Sequence, residues 1–329
     1  MSVTVAEPGS PDVRSETPPP RPNREVYRDV LAGLMPADER LVCLDSDTGL
    51  FSGVDWGTAA DRYVNLGIAE QNLMGVAAGL AKSGRVPFVN TMSTFASTRA
   101  VEAVKLDIAL NDLPVRIAAT HSGLSAGHLG STHHSLEDLA VMRMLPNMTV
   151  LVPADAAATE ELVRACAGIP GPVYLRLGRG ATEDLPAGAE PLRVGRAQRL
   201  REGDDVTLVA TGPYPVLAAL EAAEELAVEG VEAAVLNMHT VKPLDTAALT
   251  AAARTTRAVV TVEEHWAAGG LGSAVAEVVA ELGAGCPVLR VAVGDSFAAG
   301  TGGQRHLLER NGITAAAVAD RARRALSRR

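Results

Sequence analysis

Short runs rich in leucine and β-branched residues, LVCL (41–44), VPFV (86–89), VRIAA (115–119) and TVLV (149–152), alternate with longer alanine-rich segments of helical period. Runs without polar alternation suit strands buried on both faces, and the helices between them supply the cover. The rhythm predicts an α/β architecture on a largely parallel sheet. It breaks at 181–204, ATEDLPAGAEPLRVGRAQRLREGD, where Pro, Gly and charge accumulate. That stretch reads as an interdomain connection with one or two edge strands. Beyond it, VTLVAT (206–211), VEAAVLNM (231–238), AVVTVEE (258–264) and PVLRVAV (287–293) alternate with helices expected at 214–228, 245–254 and 271–282. This is a second, smaller α/β domain.

We therefore expect two three-layer α/β domains, 24–190 and 191–329, in a chain of 329 residues. Residues 1–23 are rich in Pro, Ser and Glu and hold too few large apolar side chains to offset the entropy of ordering, so a disordered tail is expected there. The net charge of −9 argues against broad attraction to nucleic acid. Cys43, Cys166 and Cys286 stand far apart with no C-x-x-C pair, which suggests neither a disulfide framework nor a zinc site and fits a reducing cytoplasm. The N-terminus lacks the apolar core of a signal peptide, and no run of about 18 apolar residues offers a membrane span.

Two segments concentrate the chemistry. In YVNLGIAEQNLMGVAAGL (63–80) a short strand ends at Gly67 and Glu70 enters the first turn of a helix, at the kind of strand end where α/β sheets bind ligands. The structural alternative for Glu70 is a carboxylate favoured by the helix dipole. Met74, Val76, Ala77 and Leu80 face the sheet in this reading, and Gly75 and Gly79 permit close approach of another backbone. THSGLSAGHLGSTHHSLED (120–138) holds four of the seven histidines and three glycines, a loop composition that suits a pocket wall. His128, His133 and His134 have no zinc-motif spacing, so polar contacts to a small anionic or hydroxylated substrate are the expectation and no metal ligand is assigned.

The motifs G-I-A-E-Q-N (67–72), P-F (87–88), R-A (99–100), T-H (132–133), E-D (137–138), M-R (142–143), P-N-M-T-V (146–150) and V-P-A-D (152–155) together resemble the pyrimidine-binding domain of the transketolase family. V-K-P-L-D (241–245), T-V-E-E-H (261–265) and G-G-L-G-S-A-V-A-E (269–277) resemble its C-terminal domain. The resemblance runs collinearly over about 300 residues. It implies thiamine diphosphate as cofactor and transfer of a two-carbon ketol unit from a ketose or ketose phosphate to an aldehyde. In the family a glutamate bonds the N1′ nitrogen of the aminopyrimidine and favours its imino form, which deprotonates the reactive thiazolium carbon; Glu70 matches it. To donate there the carboxyl must hold a proton part of the time, so Glu70 is expected to be buried.

By the same resemblance Phe95 stacks on the pyrimidine, Met92 replaces a second aromatic three residues earlier, and Asp47 and Ile68 join the cofactor contacts. His133 matches a catalytic histidine facing the donor's carbonyl or hydroxyl. His121 and Arg179 match phosphate contacts, where an imidazolium and an Arg fork suit an oxyanion. One departure is chemical: sugar-phosphate transketolases have G-E-D-G where this chain has Gly127-His128-Leu129-Gly130. Leu129 cannot accept a hydroxyl proton, and a buried hydroxyl left unpaired costs about 1–3 kcal/mol. His128 takes over part of that contact, or the substrate lacks that hydroxyl.

The family holds the diphosphate and Mg²⁺ through G-D-G and a later Asn. This chain has no G-D-G; Gly203-Asp204-Asp205 and Gly294-Asp295-Ser296 are its nearest fragments. The resemblance thus implies a partner subunit supplying the diphosphate and metal ligands, in an α₂β₂ heterotetramer. The alternatives within the cofactor class are a 2-oxo acid dehydrogenase β subunit and a deoxyxylulose-phosphate-synthase-like protein. A non-catalytic regulatory subunit of the same fold is the alternative outside it.

Overall fold

The computed structural model describes residues 19–186 and 191–327. Of the expected tail, positions 1–18 lie outside the described residues, and Asn23 already opens the first helix. The first domain carries strands β1 (Leu41–Asp45), β2 (Tyr63–Asn65), β3 (Val86–Met92), β4 (Arg116–Thr120), β5 (Thr149–Leu151) and β6 (Val173–Arg176). They lie parallel in the order β5-β6-β4-β3-β1-β2. Its helices are α1 (Asn23–Leu34), α2 (Glu70–Lys82), α3 (Ser93–Ser97), α4 (Val101–Ala103), α5 (Asp138–Met144) and α6 (Ala156–Cys166). A π-helical turn, Val104–Ala109, continues α4.

The apolar runs are continuous because both faces of this sheet are covered. On β1, Val42 and Leu44 pack in the core shared with α2, the π-helical turn and α5, while Leu41 and Cys43 pack in the core shared with α1 and α6. Met74 and Ala77 of α2 are buried against the sheet, with Val76 and Leu80 at the margin, as their spacing predicts. The Asp155 side chain accepts from Ala158 N at 2.7 Å and so caps α6.

The second half forms β7 (Gln198–Arg201), β8 (Val206–Thr211), β9 (Ala233–Asn237), β10 (Thr240–Lys242), β11 (Val259–Trp266) and β12 (Val288–Val293). Five of these make a smaller sheet, β12-β11-β8-β9-β7, parallel except at its edge strand β7. Helices α7 (Pro213–Val228), α8 (Thr246–Thr255), α9 (Leu271–Glu281), α10 (Gln304–Arg310) and α11 (Ala315–Ser327) complete the domain. Val206, Leu208 and Ala210 pack beneath α7 and α11, and Val209 faces the core of α8 and α9.

One strand crosses between the domains. β10 lies in the second half of the sequence yet pairs antiparallel with β5, adding a seventh strand to the first sheet. Val152 N donates to His239 O at 2.8 Å, and the Lys242 ammonium donates to the Leu145 carbonyl. Leu124, Leu136 and Ala154 of the first domain are buried in the core of the second. The two domains therefore share apolar packing, and the edge at which they meet is the carboxyl edge of the parallel strands.

Candidate active site

Because β1, β2, β3, β4 and β6 run parallel, the segments that follow them emerge along one edge of the sheet, the usual ligand edge of an open α/β fold. Asp47 follows β1, Glu70 follows β2, Met92 and Phe95 end β3 and enter α3, the histidine loop follows β4, and Arg179 follows β6. A buried polar layer supports this edge: Asn90 Nδ2 donates to Asp45 Oδ1 and to Thr48 Oγ1, each at 2.6 Å, and the Tyr63 hydroxyl donates to Asp45 Oδ2 at 3.3 Å.

Glu70 is the first residue of α2 and is 2% exposed, so the burial expected of it is present. The Arg99 guanidinium, about half exposed, donates to Glu70 Oε2 at 2.7 Å and lies 4.4 Å over the Phe95 ring. The ring of Phe95 in turn meets His133 edge-on with centroids 5.4 Å apart. Glu70, Arg99, Phe95 and His133 thus form one contiguous unit in which a buried carboxylate, a mobile-length cation, an aromatic plate and an imidazole converge. Met92 occupies the N-cap position of α3 and is half-buried.

Asp47 and Ile68 sit at the open rim. Asp47 accepts from Asn65 Nδ2 at 2.9 Å and adopts φ +62°, and Ile68 is 72% exposed. His121 also adopts a left-handed conformation, φ +57°, which costs an L-residue energy and is met disproportionately at functional positions. The imidazolium expected there is corrected by the structure: burial, together with the nearby Arg24 and Arg179 charges, lowers His121 to about 4, so near neutral pH its ring is uncharged. Its Nδ1 lies 3.0 Å from Thr120 Oγ1. Arg179 donates to His128 Nδ1 at 3.1 Å, which makes His128 the acceptor in that pair. Leu129 is exposed beside it.

The loop carrying these histidines is held at its base. Gly123 and Ser135 exchange backbone hydrogen bonds of 3.0 and 2.8 Å, and a bidentate pair between Arg176 and Asp138, at 2.7 and 3.0 Å, anchors the following turn. Glu264 of β11 reaches in from the second domain: its Oε1 accepts from Leu124 N at 2.6 Å, and Gln304 Nε2 donates to both its oxygens at 3.0 Å. A Cβ on Gly123, whose φ is +60°, would lie 2.6 Å from Glu264 Cδ, so glycine is what lets the loop backbone close on the carboxylate. Burial pushes Glu264 up to about 7.

Arg99, Asp138, Arg176 and Glu264 were not singled out by sequence reasoning as site residues. Their signal was weak but present: R-A, E-D and T-V-E-E-H belong to the quoted motifs, and a strand that turns from VVTV to EEH while remaining buried needs polar partners. Among the described residues no group of three or more His, Cys, Asp or Glu is arranged to hold a metal ion. Among them, too, no helix is long and apolar enough to cross a membrane.

Comparison with known proteins agrees with this geometry. The family described as "Transketolase, pyrimidine binding domain" matches residues 20–184, and "Transketolase, C-terminal domain" matches 195–318. The chain is 42% identical over 296 residues to the 6-deoxy-6-sulfo-D-fructose transketolase subunit SqwH of Clostridium sp. (strain MSTE9), covering 89% of this chain and 90% of that one. It is 40% identical over 325 residues to the 1-deoxy-D-xylulose-5-phosphate synthase of Thermomicrobium roseum, covering 97% of this chain but half of that longer protein. Among solved structures, a split-gene transketolase described as an inactive β4 tetramer superposes with a TM-score of 0.85 at 44% identity, covering 93% of this chain and 98% of that one.

Proposed function

The chain belongs to the transketolase family, whose members depend on thiamine diphosphate, and from that premise we propose that it is the pyrimidine-binding subunit of a two-polypeptide enzyme. The enzyme moves a two-carbon ketol unit from a ketose or ketose phosphate to an aldehyde. A second chain bearing the G-D-G…N segment supplies the diphosphate and Mg²⁺ ligands, and the working form is an α₂β₂ heterotetramer of the cytoplasm. The observation that carries this reading is the buried carboxylate of Glu70 beside the ring of Phe95 and the imidazole of His133.

The residues present fit the pyrimidine half of the cofactor: a carboxyl for a ring nitrogen, an aromatic plate for the ring face, and an edge open to a partner at Asp47 and Ile68. Bound there, thiamine diphosphate would supply the carbon nucleophile that takes up the ketol unit. Glu70 holds or yields a proton at N1′, with Arg99 its partner until the ring arrives. Arg99 lies over the Phe95 face and must swing aside for the pyrimidine to stack, which its half exposure permits. His133 faces the donor's hydroxyl or carbonyl and passes protons there. His121 offers a phosphate a hydrogen bond, and Arg179 is the cation for that anion. Leu129 leaves a hydroxyl beside the reacting carbon unread, which favours donors lacking it or donors that His128 can contact.

Calorimetric titration of thiamine diphosphate with Mg²⁺ tests the split site. Tight binding is expected only when this chain is mixed with a partner carrying G-D-G; tight binding to the lone chain overturns the division of labour. A second reading is a subunit of another thiamine-diphosphate enzyme, 2-oxo acid dehydrogenase β-type or deoxyxylulose-phosphate-synthase-like, and the 40% identity to a 1-deoxy-D-xylulose-5-phosphate synthase motivates it. Turnover of the reconstituted pair with 2-oxo acid donors and not with ketoses would establish that alternative.

A further inference from the structure

A cleft of about 240 Å³ lies between the two domains beside the Glu70 cluster, sharing α3 and the histidine loop with it but containing none of its residues. Thr94, His134 and Glu137 line it from the first domain, Trp266 and Phe297 from the second. His134 is 5% exposed, and its Nε2 faces the Gly127 carbonyl at 3.4 Å, which places the ring proton on Nε2 and leaves Nδ1 as a lone-pair acceptor. That Nδ1 is buried without a partner. Burial also lowers the basicity of His134, so the ring stays neutral and the acceptor stays available. An acceptor left so is destabilising unless a donor reaches it.

The rest of the lining says what that donor belongs to. Glu137 is a second acceptor: Leu136 N donates to its Oε2 at 2.8 Å, while its Oε1 is served only by Ser97 Oγ at 3.2 Å and Thr94 Oγ1 at 3.4 Å, both long. Trp266 spends its indole N–H on the Ser296 carbonyl at 3.0 Å and packs edge-on to Phe297 at 5.7 Å, so these rings form an apolar wall with no donor to offer. Among the described residues no lysine or arginine lines the cleft. Acceptors on one side and aromatic carbon on the other suit a molecule that donates through hydroxyls and presents C–H faces, and they repel an anion. The volume suits a small ligand.

We propose that this interdomain cleft binds an uncharged polyhydroxylated molecule of sugar or short-polyol size, donating hydroxyl protons to His134 Nδ1 and the Glu137 carboxyl and packing on Trp266 and Phe297. The proposal is independent of the cofactor reading, since it uses none of the Glu70 cluster.

The full chain labelled with 5-fluorotryptophan tests it, because only two tryptophans are present and Trp56 is buried in the first domain beside Phe51 and Tyr63. Titration with erythritol or D-xylose is expected to shift the Trp266 fluorine resonance saturably and leave that of Trp56 in place. Loss of one neutral hydrogen bond predicts roughly three- to tenfold weaker binding for His134→Leu. Phe297→Ala changes a side chain that is 74% exposed, so it should fold normally and bind about two- to threefold more weakly through lost contact area. No saturable shift up to about 100 mM, well past the weak-affinity range, overturns the proposal. So does an unchanged affinity in Phe297→Ala, or tighter binding of glycerol 3-phosphate than of erythritol.

Discussion

The carboxylate of Glu70 is the residue on which the proposed chemistry turns, and its environment separates a structural role from a catalytic one. A carboxylate at a helix start is stabilised by the dipole whether or not it does chemistry, but that alone gives no reason for it to be 2% exposed beside a ring and an imidazole. Replacing it by glutamine keeps the shape, and the amide oxygen can still accept from Arg99. Glu70→Gln should therefore fold normally, with an unfolding midpoint near that of the parent, yet lower turnover of the reconstituted pair by about 10²–10⁴-fold, the usual range for a lost acid–base group. Undiminished cofactor-dependent turnover would sink the role assigned to Glu70. His121 teaches the converse lesson: the resemblance implied a charged phosphate contact, and its burial near Arg24 and Arg179 lowers its basicity instead.

Among the elements, the histidine loop matters most, because it belongs to one domain and is fixed by the other. Its composition made it legible as a pocket wall, and strands of both sheets were legible because LVCL, VPFV and VTLVAT are apolar enough to need cover on both faces. The contact between Glu264 and Leu124, 140 residues apart, was not legible, since no local pattern encodes a pairing at that separation. For the same reason β10, three residues long, gave no sign that it would join the first sheet. The Glu264 anchor has a pH signature. Its carboxyl is raised on folding from 4.5 to about 7, chiefly by burial, so the native state binds the proton more tightly than the unfolded chain. The associated stabilisation is complete below about 4.5 and is lost as pH rises through about 7. The urea midpoint of the parent relative to Glu264→Gln should therefore fall between pH 5 and pH 7.5. A difference that is flat across that window would remove Glu264 as a titrating anchor.

Viewed as a whole molecule, the chain buries Leu124, Leu136 and Ala154 between its domains and leaves apolar surface around α2. Ile68 precedes α2, and Leu110 closes the π-helical turn that packs against α2; they are 72% and 73% exposed, with Leu106 at 44% and Val64 at 38%. A Cβ on Gly75 of α2 would meet Asp107 Oδ2 of the same turn at 3.9 Å, an ordinary contact distance, so the helix and the turn lie close together. Large side chains this exposed around one helix pair are unfavourable in water unless another chain covers them, each contributing up to about 1.5–3 kcal/mol when fully buried. If the assembly proposed above uses this surface, the lone chain should self-associate through it and the partner should compete for it. Leu110→Asp places a charge on that surface without disturbing the core, so the fold and its unfolding midpoint should survive. Sedimentation velocity should show the parent chain as an oligomer and Leu110→Asp as a species of lower mass, with affinity for the G-D-G-bearing partner reduced at least tenfold, since an unpaired charge would have to be desolvated on docking. An oligomer of unchanged mass that still captures the partner with parental affinity would place the subunit interface elsewhere. The Glu70 edge would then have to be completed from a different direction.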